Sequence, residues 1–129
     1  MRLARYLAAL ALIASPAASA PEWRQAGDYE LRLTSYDISP GTIRLRAGEP
    51  VRLRLVNNSN MNYSLSAPRF FAAAQVRGRD GRMLRNGVVA VRAGETREIA
   101  VVPAAGRYSL KSRNLLQRIL GMHGRIIVE

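Results

Sequence analysis

The sequence predicts an all-β domain, an antiparallel Greek-key β-sandwich of seven or eight strands. Two observations favour this fold class. Polar and apolar residues alternate with a period of two in several short segments, which is typical of strands with one buried face. Glycine, proline and other turn residues separate these segments at short and even intervals, as they do in sandwiches and barrels.

The predicted strands follow one another from residue 29 onwards. Alternation begins at Tyr29–Leu33 and recurs at Thr42–Arg46 and Val51–Val56. Gly48 and Pro50 favour a tight turn between the second and third of these segments. Further strands are predicted at residues 88–92, 96–102, 106–111 and 125–128.

A stretch at residues 57–87 breaks the alternation and is predicted to form loops. Asp80-Gly81 and Asn86-Gly87 are turn signals within it, and they favour a short hairpin there. The Phe70–Phe71 pair is followed by three alanines, which predicts a helical turn that packs on the core.

A second short helical turn is predicted near residues 114–120. The aliphatic residues there are spaced at i, i+1, i+4 and i+5, which places them on one side of a helix. They are Leu115, Leu116, Ile119 and Leu120. Since aliphatic side chains favour the interior, we expect this side of the turn to be buried.

The first twenty residues have the layout of a secretory signal peptide. A basic start precedes an apolar run, Tyr6–Ala14, and small residues follow it. Cleavage after Ser19 and cleavage after Ala20 both fit this layout. The apolar run is shorter than the roughly 20 residues that span a bilayer. We therefore predict a signal peptide at residues 1–20, a domain at residues 21–129, no membrane span, and a periplasmic or secreted protein.

Composition excludes several classes of function. The chain has no cysteine, so disulfides, thiolate metal sites and thiol nucleophiles are excluded. Its serines lack a recognisable triad or Gly-x-Ser-x-Gly context, so no enzymatic activity is predicted. Twenty basic residues against nine acidic ones give a net charge of +11, or +9 without Arg2 and Arg5. The exported domain is therefore strongly basic.

Three segments resemble the bacterial periplasmic cupredoxins, which are blue copper proteins. Ile38–Val51 resembles their early strands, with an Ala-Gly turn between two strands. Gly106–Leu110 resembles the strand that leads to the copper cysteine of the family, and Gly121–Gly124 resembles its closing Gly-Met motif. The resemblance covers nearly all of residues 21–129 and implies a cupredoxin-like sandwich.

The resemblance also implies where copper ligands would lie. In cupredoxins two histidines, a cysteine and a weak axial methionine hold the metal. By position, the histidines fall on Tyr63 and Gln117 and the cysteine falls on Ser112, so only Met122 matches. Hydroxyl and carboxamide groups are poor copper(II) ligands, so we predict a degenerate copper pocket and no cofactor. We expect Tyr63, Ser112 and Gln117 to hydrogen-bond to one another there.

The alternative is a residual soft-metal site for copper(I) or silver(I). Met122, His123 and Met61 carry the thioether and imidazole groups that suit these ions. Neighbouring residues on a strand point to opposite faces, however, which argues against joint use of Met122 and His123. Packing of Met122 in an apolar gap is the simpler interpretation.

Arginine is concentrated in one predicted loop. Arg77, Arg79, Arg82 and Arg85 accompany a single acidic residue, Asp80. The cluster predicts a surface for an anionic partner, either an acidic envelope protein or an anionic lipid surface, although a solvated loop is the simpler interpretation. Nucleic acid is not expected as a partner, because the protein is predicted to be exported and its basic segments lack interleaved aromatic residues.

Together these observations predict a class of function. The leading hypothesis is an exported, non-enzymatic cupredoxin-like protein that has lost its type 1 copper ligands and acts as a binding or structural module in the periplasm. The alternative is a copper-binding or electron-transfer protein with an atypical site at Met122 and His123. The two hypotheses differ in whether the purified protein binds copper.

Overall fold

Two β-sheets face each other across a shared apolar core. The computed structural model describes residues 20–129, and these residues form eleven strands. The two packed sheets confirm the predicted β-sandwich. The predicted signal peptide lies outside the described residues, except for Ala20.

The strands divide between a five-stranded and a six-stranded sheet. They are β1 (Gly27–Thr34), β2 (Asp37–Ser39), β3 (Thr42–Leu45), β4 (Val51–Asn57), β5 (Tyr63–Ser66), β6 (Gln75–Val76), β7 (Leu84–Arg85), β8 (Val88–Val91), β9 (Thr96–Val102), β10 (Gly106–Ser112) and β11 (His123–Val128). The five-stranded sheet has the order β2-β1-β4-β9-β6, and the six-stranded sheet has the order β3-β11-β10-β5-β8-β7. The loops contain the helices α1 (Pro68–Ala73) and α2 (Leu115–Ile119) and 3₁₀ turns at Trp23–Gln25 and Gly78–Met83.

Alternation along the strands decides which side chains enter the core. In β1, Leu31 and Leu33 are buried whereas Arg32 is exposed, and the adjacent β4 repeats this pattern. Tyr63 on β5 and Phe70 on α1 are among the largest fully buried side chains. Burying one such apolar side chain stabilises a fold by about 1.5–3 kcal/mol, so the shared interior is the main source of stability.

Two strand pairs are parallel, which differs from the antiparallel pairing that the sequence predicts. β1 pairs with β4, and β3 pairs with β11, each in parallel. The chain leaves the five-stranded sheet after β2, enters the six-stranded sheet at β3 in the same direction, and returns through residues 46–50. β4 therefore lies beside β1 instead of forming a hairpin with β3. Each of the seven segments predicted from alternation corresponds to a strand, although Arg46 and Arg92 lie just beyond β3 and β8. The structure has eleven strands instead of the predicted seven or eight, because β2, β5, β6 and β7 are only two to four residues long.

The Asn86-Gly87 signal corresponds to a hairpin turn between β7 and β8. Both residues have positive φ angles, 53° for Asn86 and 75° for Gly87, as a type I′ turn requires. A Cβ atom on Gly87 would lie 2.3 Å from the Cα atom of Pro68, so only glycine fits at this position. The predicted hairpin is confirmed, and it packs against the start of α1.

Ion pairs compensate the arginines on the outer face of the five-stranded sheet. Arg52 donates a hydrogen bond to Asp28 at 2.7 Å, and Arg32 donates to Glu30 at 2.9 Å. Arg54 lies opposite Glu30 in the strand register. The hydrogen bond from Arg52 holds the pKa of Asp28 below its usual value. The arginines of this sheet therefore have acidic neighbours within the protein.

A buried carboxylate ties the loop region after α1 to the five-stranded sheet. Asp80 is 4% exposed. Its Oδ2 accepts hydrogen bonds from Arg77 Nε at 2.8 Å and from the Ala100 N–H of β9 at 2.9 Å. Arg77 also lies 3.7 Å from Glu98. The one acidic residue among the loop arginines therefore has a structural role.

The substitution Asp80→Asn should destabilise the protein. It removes the more buried of the two carboxylate charges that compensate Arg77, and breaking a buried pair costs up to about 3–5 kcal/mol. We expect urea denaturation to show a fall of about this size in the free energy of unfolding. Arg79→Gln is the matched control, because Arg79 is 73% exposed and lies 4.0 Å from Asp80. Equal stability of D80N and the parent protein would contradict the structural role.

Candidate functional site at the loop end

Four loops meet at one end of the sandwich, which we call the loop end. They are residues 35–36, 58–62, 92–95 and 113–122. β1 and β4 run in parallel and end side by side, and Tyr63 at the start of β5 pairs with Val91 at the end of β8. Ser112 at the end of β10 pairs with Leu65 on β5. The structure therefore places the four residues of the predicted copper pocket at this end: Tyr63, Ser112, Gln117 and Met122.

Asn57 holds the first large loop of the loop end in place. Its buried side-chain amide donates hydrogen bonds to the carbonyls of Met61 at 2.8 Å and Val91 at 3.0 Å. Its Oδ1 accepts from the N–H of Ser59 at 3.0 Å and from the Ser59 hydroxyl at 2.6 Å. Asn57, with Asn58, also belongs to the segment that resembles the cupredoxins, but its side chain had no structural role in the sequence-based prediction. An asparagine that ends an alternating strand favours such side-chain to backbone bonds.

Three of the four predicted pocket residues are joined directly. The Ser112 hydroxyl donates a hydrogen bond to Gln117 Oε1 at 2.5 Å. The Ser112 N–H donates to the carbonyl of Met122, and the Met122 N–H donates to the carbonyl of Gln117, both at 2.9 Å. All three residues are buried. The loop between β10 and β11 therefore closes around the bond between Ser112 and Gln117.

Asn114 begins helix α2 and helps to direct Gln117 inward. The side chain of Asn114 accepts a hydrogen bond from the Gln117 N–H at 3.1 Å, as an N-cap residue does. The Asn114 N–H donates to Ser112 Oγ at 3.3 Å. Asparagine just before a helical pattern is a recognised start signal, so this residue was identifiable from the sequence.

Helix α2 confirms the predicted helical turn, but its apolar side faces outward. The exposed fractions are 62%, 59%, 70% and 51% for Leu115, Leu116, Ile119 and Leu120. The buried residue of the helix is Gln117. The prediction of a buried aliphatic side is therefore wrong. Helical spacing shows that four side chains share one side, whereas the hydrogen bond of Gln117 decides which side meets the core.

Tyr63 lies at the loop end but has other partners. Its hydroxyl donates to the carbonyl of Thr34 at 2.9 Å and accepts from the Tyr36 N–H at 3.1 Å. The sulfur of Met61 lies 3.7 Å from the same hydroxyl. Tyr63 therefore fixes the turn between β1 and β2. The expected mutual hydrogen bonding holds for Ser112 and Gln117 and does not extend to Tyr63.

The side chains at the predicted copper positions do not fit a type 1 copper ion. Such a site needs imidazole and thiolate ligands, whereas these positions carry a phenol, a hydroxyl, a carboxamide and a thioether. The hydroxyl and the carboxamide bond to each other, and the phenol bonds to backbone groups. Every buried side-chain nitrogen and oxygen of residues 20–129 has a hydrogen-bond partner. Among these residues no three His, Cys, Asp or Glu side chains form a group that could hold a metal.

The structure separates the residues of the alternative soft-metal site. Met122 is fully buried, whereas His123, the next residue, is exposed. Their side chains lie on opposite faces, as expected at the start of a strand. Met61 is partly buried and lies beside the Tyr63 hydroxyl. Met122 and His123 therefore do not point towards a common position.

The four loop arginines differ in their surroundings. Arg77 is 14% exposed and is held by two acidic side chains. Arg79 is exposed, and Arg82 and Arg85 line an open groove together with Arg113. Arg77 is therefore engaged by acidic side chains within the protein, whereas Arg113, which the sequence analysis did not single out, lies beside Arg82 and Arg85. A surface for an anionic partner stays a prediction.

Gln117→Leu should destabilise the protein, because it leaves the buried Ser112 hydroxyl without its acceptor. An unpaired buried polar group costs about 1–3 kcal/mol, which urea denaturation would detect as a lower free energy of unfolding. The double variant S112A/Q117L should recover most of this loss, since neither partner is then left unpaired. Leu115→Gln, on the exposed side of the same helix, should change stability by less than about 0.5 kcal/mol. An unchanged stability of Q117L would count against a structural role for the bond.

Solved structures of copper proteins share the fold of this chain. McoA, a multicopper oxidase from the hyperthermophile Aquifex aeolicus, aligns with a TM-score of 0.65 and 18% identity over 88% of this chain and 32% of the oxidase. Reduced auracyanin from the photosynthetic bacterium Roseiflexus castenholzii aligns with a TM-score of 0.58 and 13% identity over 81% and 98% of the two chains. Auracyanin A, a blue copper protein from Chloroflexus aurantiacus, aligns with a TM-score of 0.54 and 17% identity over 80% and 100%.

Sequence comparison finds no such similarity. No protein-family model matches the chain, and no curated protein matches it significantly. The chain spans 32% of the length of the McoA oxidase but 98% of the length of the Roseiflexus auracyanin. At identities of 13–18% these alignments show the fold and not the chemistry. The chain adopts the cupredoxin-like fold.

Proposed function

We propose that this protein is an exported, non-enzymatic binding module, built on a cupredoxin-like scaffold without a type 1 copper centre. The observation behind this proposal is the hydrogen bond between Ser112 and Gln117, at two positions where the family resemblance implies copper ligands. The two groups use each other as donor and acceptor and are buried together. A metal ion could not use these groups without breaking that bond.

The chemistry of the loop end also supports a binding role over a redox role. A blue copper centre needs a thiolate and imidazoles that tune the metal, and the chain has no cysteine and one histidine. That histidine, His123, is exposed and follows the buried Met122. The solved structures that share this fold include oxidases and auracyanins, so the fold by itself is compatible with both enzymes and non-enzymes.

The charge of the chain indicates the chemistry of the partner. Without the predicted signal peptide the protein carries a net charge of +9, so its surface attracts anionic molecules over several ångströms at moderate ionic strength. In the described residues no helix is long and apolar enough to cross a membrane. We propose that the module acts in the periplasm or after secretion, on an anionic partner of the cell envelope.

Copper titration of the purified mature protein tests the absence of a type 1 centre. We expect no intense blue absorption with copper(II), because the side chains at the ligand positions contain no thiolate. The matched positive control is the variant Y63H/S112C/Q117H, which restores the implied ligand types around Met122. Absorption spectra of both proteins during the titration provide the measurement.

Submicromolar copper binding by the parent protein would contradict the proposal. The variant Met122→Leu then distinguishes the two metal hypotheses. Copper(I) binding that M122L abolishes would support the residual soft-metal site, whereas binding that survives in M122L would place the metal elsewhere. Absence of copper(I) and copper(II) binding by the parent protein supports the metal-free scaffold.

A further inference from the structure

Helix α2 carries an exposed aliphatic surface. Among residues 20–129 the large apolar side chains that are exposed are Leu115, Leu116, Ile119 and Leu120. Between 51% and 70% of each is accessible to solvent, and they lie together on one side of the helix. We call this surface the aliphatic face of α2. Exposed apolar groups that gather in one place mark a surface for contact with another molecule.

The outward direction of the aliphatic face is built into the loop. Gln117 points inward to Ser112, so the opposite side of the helix must point outward. Asn114 caps the start of the helix, and Gly121 ends it with a φ angle of 114°. A Cβ atom on Gly121 would lie 3.2 Å from the carbonyl oxygen of Tyr36, so the end of the helix lies close against the β1–β2 turn. These contacts fix the orientation of the helix, so the four aliphatic side chains stay exposed to solvent.

Arginines border the aliphatic face. Arg113 immediately precedes the helix region and Arg118 lies within it. Arg113 also lines the groove that contains Arg82, Arg85 and Arg97. Arg97 pairs with a glutamate, but the other four form no ion pair with any described residue. Their charges are therefore available to a partner.

The six-stranded sheet extends this positive charge away from the loop end. None of its six strands contains an acidic residue. Lys111 lies beside His123 in the register, and the exposed basic residues of the longer strands are Arg44, Arg107, Lys111 and Arg125. The five-stranded sheet differs, because its arginines have acidic neighbours. Glu49 and Glu129 line the groove that contains Arg44, so the positive surface of this sheet is formed by Arg107, Lys111 and Arg125 on β10 and β11. This surface adjoins the aliphatic face at Ser112–Arg113, where β10 ends.

We propose that the aliphatic face of α2 inserts into a lipid bilayer that contains anionic headgroups. The proposal rests on the function proposed above, a binding module for an anionic partner. Leucine and isoleucine side chains fit the acyl region of a bilayer, while guanidinium groups stay at the level of the phosphates. Arg113, which is exposed just before the helix, and Arg118, which is partly exposed within it, supply the guanidinium groups closest in sequence to the inserted residues. The acidic residues at this end are Glu95, which pairs with Arg97, and Asp37, which follows the β1–β2 turn.

Two other occupants fit these observations less well. A second copy of the chain would bring Arg113 and Arg118 of one protomer close to the same cations of the other, which is repulsive. An acidic protein would satisfy the charges, but the centres of protein interfaces are enriched in aromatic residues. The aliphatic face has leucine and isoleucine only. A bilayer with anionic headgroups satisfies both the charge and the aliphatic character.

The expected order of events separates attraction from insertion. The uncompensated arginines attract the domain to an anionic surface, and salt weakens this step. Insertion of the aliphatic side chains follows, and it depends on apolar area more than on salt. Charge removal should therefore slow association, whereas polar substitution of the aliphatic face should speed dissociation.

Co-sedimentation with lipid vesicles tests the proposal on the full mature protein. The probes are vesicles of phosphatidylcholine, with and without phosphatidylglycerol. We expect binding to the vesicles that contain phosphatidylglycerol and at least tenfold weaker binding to phosphatidylcholine alone, since each basic residue near an anionic surface adds to the attraction. L116S/I119S should weaken binding to the anionic vesicles by about tenfold or more, because it removes inserted apolar area.

A charge-matched pair of variants locates the contributing arginines. R113Q/R118Q should weaken binding to anionic vesicles by about tenfold. R24Q/R54Q removes the same charge from exposed positions away from α2, on the Trp23–Gln25 turn and the five-stranded sheet, and should stay within about twofold of the parent protein. All substituted side chains are solvent-accessible, so circular dichroism and thermal unfolding should show the parent fold in each variant.

Tryptophan fluorescence reports insertion directly. In a Trp23→Phe background, Leu116→Trp places the one tryptophan on the aliphatic face. Its emission should shift to shorter wavelength on addition of vesicles that contain phosphatidylglycerol, and should remain unchanged with phosphatidylcholine vesicles. An unchanged emission with both kinds of vesicle would overturn insertion.

Other results would also overturn the proposal. Absence of binding to both kinds of vesicle would overturn it. Binding that is equally strong in L116S/I119S would also overturn it, because it would indicate adsorption by charge alone. Self-association in sedimentation velocity that depends on Leu116 and Ile119 would assign the face to a second copy. Binding of a purified acidic protein through these residues, without vesicle binding, would assign it to a protein. The copper titration does not depend on the vesicle experiments. If vesicle binding fails, the proposal of a scaffold without type 1 copper is therefore unaffected.

Discussion

One buried hydrogen bond, from the Ser112 hydroxyl to the Gln117 carboxamide, determines how the loop end is built. The bond closes the segment between β10 and β11, and the backbone bonds of Met122 lie beside it. A polar side chain in the middle of a short helix is costly to bury unless it has a partner, and Ser112 supplies that partner. Since Gln117 must point inward, the four aliphatic residues around it must point outward. The same bond therefore accounts for both the closed pocket and the exposed face.

The two sheets differ in how their arginine charges are compensated. On the five-stranded sheet, Arg32 and Arg52 have acidic partners within hydrogen-bonding distance. On the six-stranded sheet, no strand supplies an acidic residue to its arginines. Unpaired like charges on one face repel each other and lower stability slightly, while they also raise the local concentration of anions in solution.

Much of the fold was predictable because alternation has a direct physical cause. A strand with one buried face must alternate, and each of the seven alternating segments corresponds to a strand. Parallel pairing of β1 with β4 was not predictable in this way, because it depends on the crossing from β2 to β3 between sheets. Local patterns contain no signal for which distant strand becomes a neighbour. The shortest strands, such as β6 and β7, have too few residues to alternate.

The candidate site was predictable to a similar degree. The family resemblance brought Ser112, Gln117 and Met122 together, and the structure joins them. It could not predict that the Tyr63 hydroxyl turns to Thr34 and Tyr36, because a phenol is longer than an imidazole and reaches a different turn. Helical spacing grouped the aliphatic residues of α2 but assumed that they were buried. That assumption fails wherever a stronger constraint, here a paired carboxamide, orients the helix.

Contacts within the protein hold the loop end of this cupredoxin-like fold together. Asn57 fixes the loop before β5, the Tyr63 hydroxyl fixes the turn after β1, and Ser112 fixes the loop after β10. The apolar core beneath them extends in the sequence from Leu31 to Val128 and includes Tyr63 and Met122 of the pocket. Because the bond between Ser112 and Gln117 closes the loop from within, the loop between β10 and β11 can expose the three leucines and one isoleucine of α2 without opening the core.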